Sequence, residues 1–139
     1  MHHSTSFFGR HQKVLLLAAS LYVVGLILSH ATLPPAHVWV IAAVFSVLMN
    51  LVYIFEARAQ DRLVRTELLV MGVLITASCL GAILHPLFVI GAIIGHGLWD
   101  VAKHFGAGIP FFSWYTWSCA AVDVTYGLTL FAYWMLAPL

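Results

Sequence analysis

Charge is what this chain has least of. Of its 139 residues only 8% are Asp, Glu, Lys or Arg, while 63% are hydrophobic. Soluble domains carry about 25% charged residues. A chain with a mean hydropathy of +0.99 has too little polar surface to cover a water-soluble fold. Cysteine is scarce as well. Cys79 and Cys119 are the only two, and both fall inside apolar runs. They read as buried small residues rather than a disulfide framework. The formal net charge of +1 offers no basis for nucleic-acid binding. No internal repeat is visible, which argues against a duplicated transporter half.

What the chain does have is long apolar runs. A membrane-spanning helix needs about 20 mostly apolar residues. The runs predict an all-α, polytopic helix bundle occupying 1–139 as a single domain, with five spans at about 13–31, 37–57, 67–84, 86–105 and 113–136. Leu33-Pro34-Pro35 ends the first span, since proline cannot continue the hydrogen-bond ladder. The polar stretch 58–66 reads as a loop or an exposed helical turn, and Gly106-Ala107-Gly108-Ile109-Pro110 as a breaker. At His85-Pro86 a mere kink would leave one helix of about 38 residues, more than tilt accommodates. Two spans joined by a short turn are therefore expected.

Five spans put the N-terminal tail, the 58–66 loop and the 103–113 loop on one side. All six basic residues (Arg10, Lys13, Arg58, Arg62, Arg65, Lys103) then share that side. The positive-inside rule places the N-terminus in the cytoplasm and the C-terminus outside, in a multi-pass protein of a bacterial cytoplasmic membrane. The first ten residues do not read as a secretory signal. They are expected to lie at the interface, with Phe7 and Phe8 as anchors.

Against this apolar background, His96-Gly97-Leu98-Trp99-Asp100-Val101-Ala102-Lys103-His104 stands out. His96, Asp100 and His104 recur every four residues and stack on one helix face. Ionisable groups are costly in lipid and usually face a bundle interior or cavity. At 1.5 Å per residue His96 lies roughly 13 Å deep, Asp100 roughly 8 Å and Asp123 roughly 15 Å. Tyr115, Cys119, Asp123 and Tyr126 share one face of the fifth span. Asn50 and Tyr53, with Glu56 and Glu67, add polar groups on the same side. The charge-rich half of the bundle is thus expected to hold a pocket.

Two chemistries suit these residues. His96 with Asp100 and Asp123 forms an acid/base set, with a carboxylic acid as proton donor and His96 as base or orienting partner. Asn50, Tyr53, Trp99, Trp114, Tyr115 and Cys119 would line the substrate site. Its aromatic rings could stabilise a cationic intermediate. Alternatively, His96, Asp100, His104 and Glu67 are candidate metal ligands. His96 and His104 are roughly 12 Å apart on a straight helix, so two neighbours plus Asp123 make an easier ligand set than all three. Plainer roles also exist: interhelical glue for Asn50, a snorkelling ion pair for Asp100 with Lys103 and His104, and pairing of Glu56 and Glu67 with Arg58 or Arg65. His30, His37 and His85 cluster by topology at the opposite side, where they bind a metal or simply contact headgroups. Aromatics at 109–117, Trp39 and Tyr133-Trp134 read as interfacial belts. The 109–117 stretch could also close over the pocket.

The last third of the chain resembles small bacterial integral membrane proteins of uncharacterised function. They share a His-x-x-Trp-Asp helix, here His96 to Asp100, then Pro110, Trp114-Tyr115 and a Cys-x3-Asp helix, here Cys119 to Asp123. Lys103 stands where a second histidine is common in that pattern. The resemblance implies a site at His96, Asp100, His104, Cys119 and Asp123.

The reading is an intramembrane enzyme (an isomerase, cyclase or hydrolase) or a binder of an isoprenoid or lipid. The alternatives are an oligomeric proton or metal-ion transport component and a structural subunit of a membrane complex. Membrane lipids and an apolar small molecule are the expected partners, with a homo-oligomer possible and nucleic acid excluded. The cofactor is unknown, metal and haem both being open.

Overall fold

A computed structural model describes residues 7–136 of the chain. The tail expected at the interface lies mostly outside these residues, as does the side chain of Phe7. Among the described residues every regular element is helical. A short α1 (Phe7–Arg10) precedes α2 (Gln12–Thr32), α3 (Val38–Gln60), α4 (Val64–Ile83), α5 (Pro86–His104) and α6 (Ser113–Leu136). The last five are long and apolar enough to cross a membrane.

The connections follow local chemistry. Pro34 and Pro35 stop α2 and open a single 3-10 turn, Pro35–His37, that leads into α3. At His85 the backbone is extended, and its side-chain Nδ1 accepts a hydrogen bond from the Leu87 amide, capping α5 at 3.3 Å. Pro86 occupies the first helical position, where its missing N–H costs nothing. The expected two spans with a short turn are what the chain forms.

The 58–66 segment differs from expectation. Helix α3 continues to Gln60 and α4 begins at Val64, leaving a tight turn. No Gly or Pro lies between Arg58 and Thr66 to break the helices. Reversal is achieved by Asp61 and Leu63 in the left-handed region, at φ 49° and 51°. Glu67 therefore sits inside α4, a turn beyond its start.

The helices form unequal contacts. Helices α3, α4, α5 and α6 make the packed body, with α5–α6 the most extensive interface. Helix α2 leans on α3, and of its 21 residues only Leu15 and Leu26 are buried. The outer surface is a continuous apolar skin that includes Leu17, Leu21, Ile27, Leu69, Ile83 and Leu136. Such a skin suits lipid, where packing rather than hydrophobic burial holds helices together.

Candidate functional site

Helix geometry and two glycines build the site. His96 and Asp100 lie one turn apart on the buried face of α5. Asp123 is brought against them by α6. A Cβ on Gly97 would sit 3.2 Å from the Asp123 Cβ and 3.3 Å from the Ala120 carbonyl. Gly127, one turn further along α6, packs directly on Ile94 of α5. These small residues allow the close backbone approach that carries Asp123 to His96. The His96 Nε2 is 3.7 Å from Asp100 Oδ2 and 4.0 Å from Asp123 Oδ2. All three donor atoms fall within 4.8 Å of one another, and all three residues are buried. This is the one group of at least three such ligand residues found among the described residues.

A chain of hydrogen bonds fixes which atoms face the centre. The Asn50 Nδ2 donates to the Ser46 carbonyl at 2.6 Å, which accepts only. Asn50 must therefore turn its Oδ1 to His96 Nδ1, 3.0 Å away. An amide oxygen accepts only, so Nδ1 carries the proton and the Nε2 of a neutral imidazole keeps its lone pair. The Tyr53 hydroxyl donates to Asp100 Oδ1. The Tyr53 ring also stacks on His96 at 5.5 Å and 19°. Asn50 and Tyr53 thus orient His96 and Asp100.

The remaining oxygens are open. Asp100 Oδ2 and Asp123 Oδ2 are buried without a hydrogen-bond partner. Two like charges within 4.8 Å of one another repel by at least about 3 kcal/mol at an effective dielectric of 20. A proton or a cation between them offsets that repulsion.

One turn further along α5 lies a second buried network. Lys103 pairs with Glu67. Glu67 also accepts from the Ile109 amide at 2.8 Å and from Trp99 Nε1 at 3.3 Å. The Lys103 ammonium lies 4.1 Å from the centre of the Tyr53 ring, a cation–π contact. Gly108, at φ +67°, is pressed against Glu67, and a Cβ there would meet Lys103 Nζ at 3.0 Å.

Several expectations change as a result. Glu67 pairs with Lys103 rather than an arginine and is unavailable to the triad. The reason is the early start of α4, which points Glu67 into the bundle. Asp100 is held by Tyr53 and is fully buried, so it does not snorkel with Lys103. Glu56 is buried, and its carboxylate accepts from Gln60 at 2.8 Å. Trp99, three residues past His96, turns to Glu67 and lines no part of the cavity beside the triad. His104 is exposed and packs at a tilt against Trp117, with ring centres 4.8 Å apart. Two helical turns separate it from His96.

A cavity of about 240 Å³ adjoins the triad. Its wall includes Asp123, Cys119, Tyr115 and Trp114 from α6. It also includes Leu15, Ala19 and Tyr22 of α2, Met49 and Val52 of α3, and Phe8, which the sequence did not single out for this cavity. Small alanines on α2 are the one local hint that this helix leaves room. Tyr22 is anchored by donating to the Phe45 carbonyl at 3.1 Å.

The outer histidines do not form one set. His30 Nε2 meets the Tyr126 hydroxyl at 2.6 Å, His85 caps α5, and His37 ends the 3-10 turn. No protein family, curated protein or solved structure matches this chain. Geometry alone therefore carries the functional argument.

Proposed function

We propose that the protein is an intramembrane binder or acid/base enzyme for an apolar molecule of isoprenoid or lipid type. The carrying observation is that one side chain, Asp123, belongs to both the apolar cavity and the His96 cluster. A molecule held in the cavity would present its polar or unsaturated end to Asp123. In this reading Asp123 gives or takes the proton, and His96 Nε2 is its exchange partner. Asp100, tied to Tyr53, balances the charge. Trp114 and Tyr115 then offer ring faces to a developing cation.

Access is sideways. Helices α2 and α6 flank the cavity without packing closely on one another, and α2 is the least buried span. An apolar molecule can pass between them from the bilayer. The charged ends of the helices face the cytoplasm in this reading, by the positive-inside rule.

The test is extraction of bound molecules from detergent-purified protein, followed by mass spectrometry. The wild-type chain should release an apolar compound in near-stoichiometric amount. Ala19→Trp, which fills the cavity from α2, should release almost none. Identical extracts from the two proteins would refute the reading.

A further inference from the structure

The three atoms at the centre of the site are a ligand set as well as a proton-exchange set. We infer that His96 Nε2, Asp100 Oδ2 and Asp123 Oδ2 bind one divalent transition-metal ion, of the Zn²⁺ or Mn²⁺ class, inside the bundle. The inference stands on these donor atoms and does not rest on the apolar-ligand reading.

The donors are prepared for it. Two of the three ligand residues have their other polar atom engaged: His96 Nδ1 with Asn50, and Asp100 Oδ1 with Tyr53. Metal-bound histidines almost always donate their second N–H to an oxygen, which fixes tautomer and ring orientation. What is left free, one imidazole lone pair and two carboxylate oxygens, faces a common centre. Two of the spacings are 3.7 and 4.0 Å. Bonds of about 2.1 Å separate their ligand atoms by about 3.4 Å at the tetrahedral angle and about 4.2 Å when collinear. These two spacings fall inside that range, and the third, between the carboxylate oxygens, is within 4.8 Å, so the carboxylates draw in by up to about 0.6 Å to share an ion.

Charge points the same way. Two aspartates are buried in an apolar bundle, and Lys103, the nearest buried cation, is already engaged by Glu67. A divalent ion between two carboxylates makes a neutral unit, the form that a low-dielectric interior tolerates. The ligand types narrow the ion. Imidazole with carboxylates suits Zn²⁺, Mn²⁺ or Fe²⁺, whereas Ca²⁺ wants six to eight oxygens and Mg²⁺ keeps several waters. Three protein ligands also leave a coordination position open. The ion takes the place of the proton that the triad otherwise exchanges.

The experiment is equilibrium dialysis of tag-free, detergent-purified protein against Zn²⁺ alone, with His2, His3 and His11 replaced by Gln to remove tail binding. One ion per chain should bind. Affinity should fall more than 100-fold in His96→Gln and in Asp123→Asn, about 10–100-fold in Asn50→Ala, and not at all in His104→Gln. A second readout needs no change in the triad. Co²⁺ in the same protein should give ligand-field bands without the thiolate charge-transfer band that a Cys119 ligand would add. Absence of binding, or undiminished stoichiometric binding in Asp123→Asn, would overturn the inference. Lipid extracted from the same samples reports the apolar ligand separately, so either proposal can fail alone.

Discussion

Helix α5 carries two buried polar networks three residues apart, and they are built on opposite principles. Around Lys103 the groups answer one another: the ammonium meets Glu67, and Glu67 also receives the Ile109 amide and the Trp99 indole. Around His96 two carboxylate oxygens without a hydrogen-bond partner face an imidazole lone pair. The first network ties α4, α5 and the 105–112 loop together, and its saturation suits a clamp. The second is oriented by Asn50 and Tyr53 yet left open, which suits a site that takes something in. Burial of charge alone does not distinguish a clamp from a site. The difference lies in which atoms remain unanswered.

That contrast can be broken by mutation. The largest effect should come from Lys103→Ala, which strands Glu67 as an unpaired buried charge and costs about 3–5 kcal/mol. Unfolding of the purified protein in detergent, followed by circular dichroism, reads that loss. Next comes Gly97→Val, which forces α5 and α6 apart where a Cβ meets Asp123 and Val124 at 3.2 Å. Overpacking of this kind costs about 1–3 kcal/mol. The same variant should lose Zn²⁺ binding, because Asp123 is displaced from His96. A smaller change is expected for Asp123→Asn. It removes an unanswered carboxylate, so stability in the absence of metal should shift by no more than about 1 kcal/mol, while metal binding is lost. His104→Gln should be the quietest, within about 0.5 kcal/mol, since its ring is exposed and lies outside both networks.

Much of this was legible in the sequence, for reasons that differ by element. The five spans follow from long apolar runs and from Pro34, Pro35, Pro86 and Pro110, because proline and hydropathy act locally. His96, Asp100 and Asp123 could be placed together because helical rise converts residue number into depth. The turn at 61–63 was not legible. It depends on Asp61 and Leu63 adopting left-handed backbone, which no local residue type demands. Shortening that loop buried Glu67 and gave it to Lys103, so its partner could not be read from the nearby arginines. The roles of Asn50 and Trp99 depend on helix rotation. Depth alone does not fix rotation, so one residue became an orienting group and the other a clamp residue. About a third of the cavity wall comes from α2, whose apolar sequence offers no hint beyond its small alanines.

The most direct test sets the two networks side by side in one measurement. Unfolding free energies of Lys103→Ala and Asp123→Asn are compared with the wild-type chain in metal-free detergent solution. The account predicts a loss of about 3–5 kcal/mol for Lys103→Ala and no more than about 1 kcal/mol for Asp123→Asn. An equal loss in both would mean that the His96 cluster is a structural clamp like its neighbour, and would contradict its assignment as the functional site.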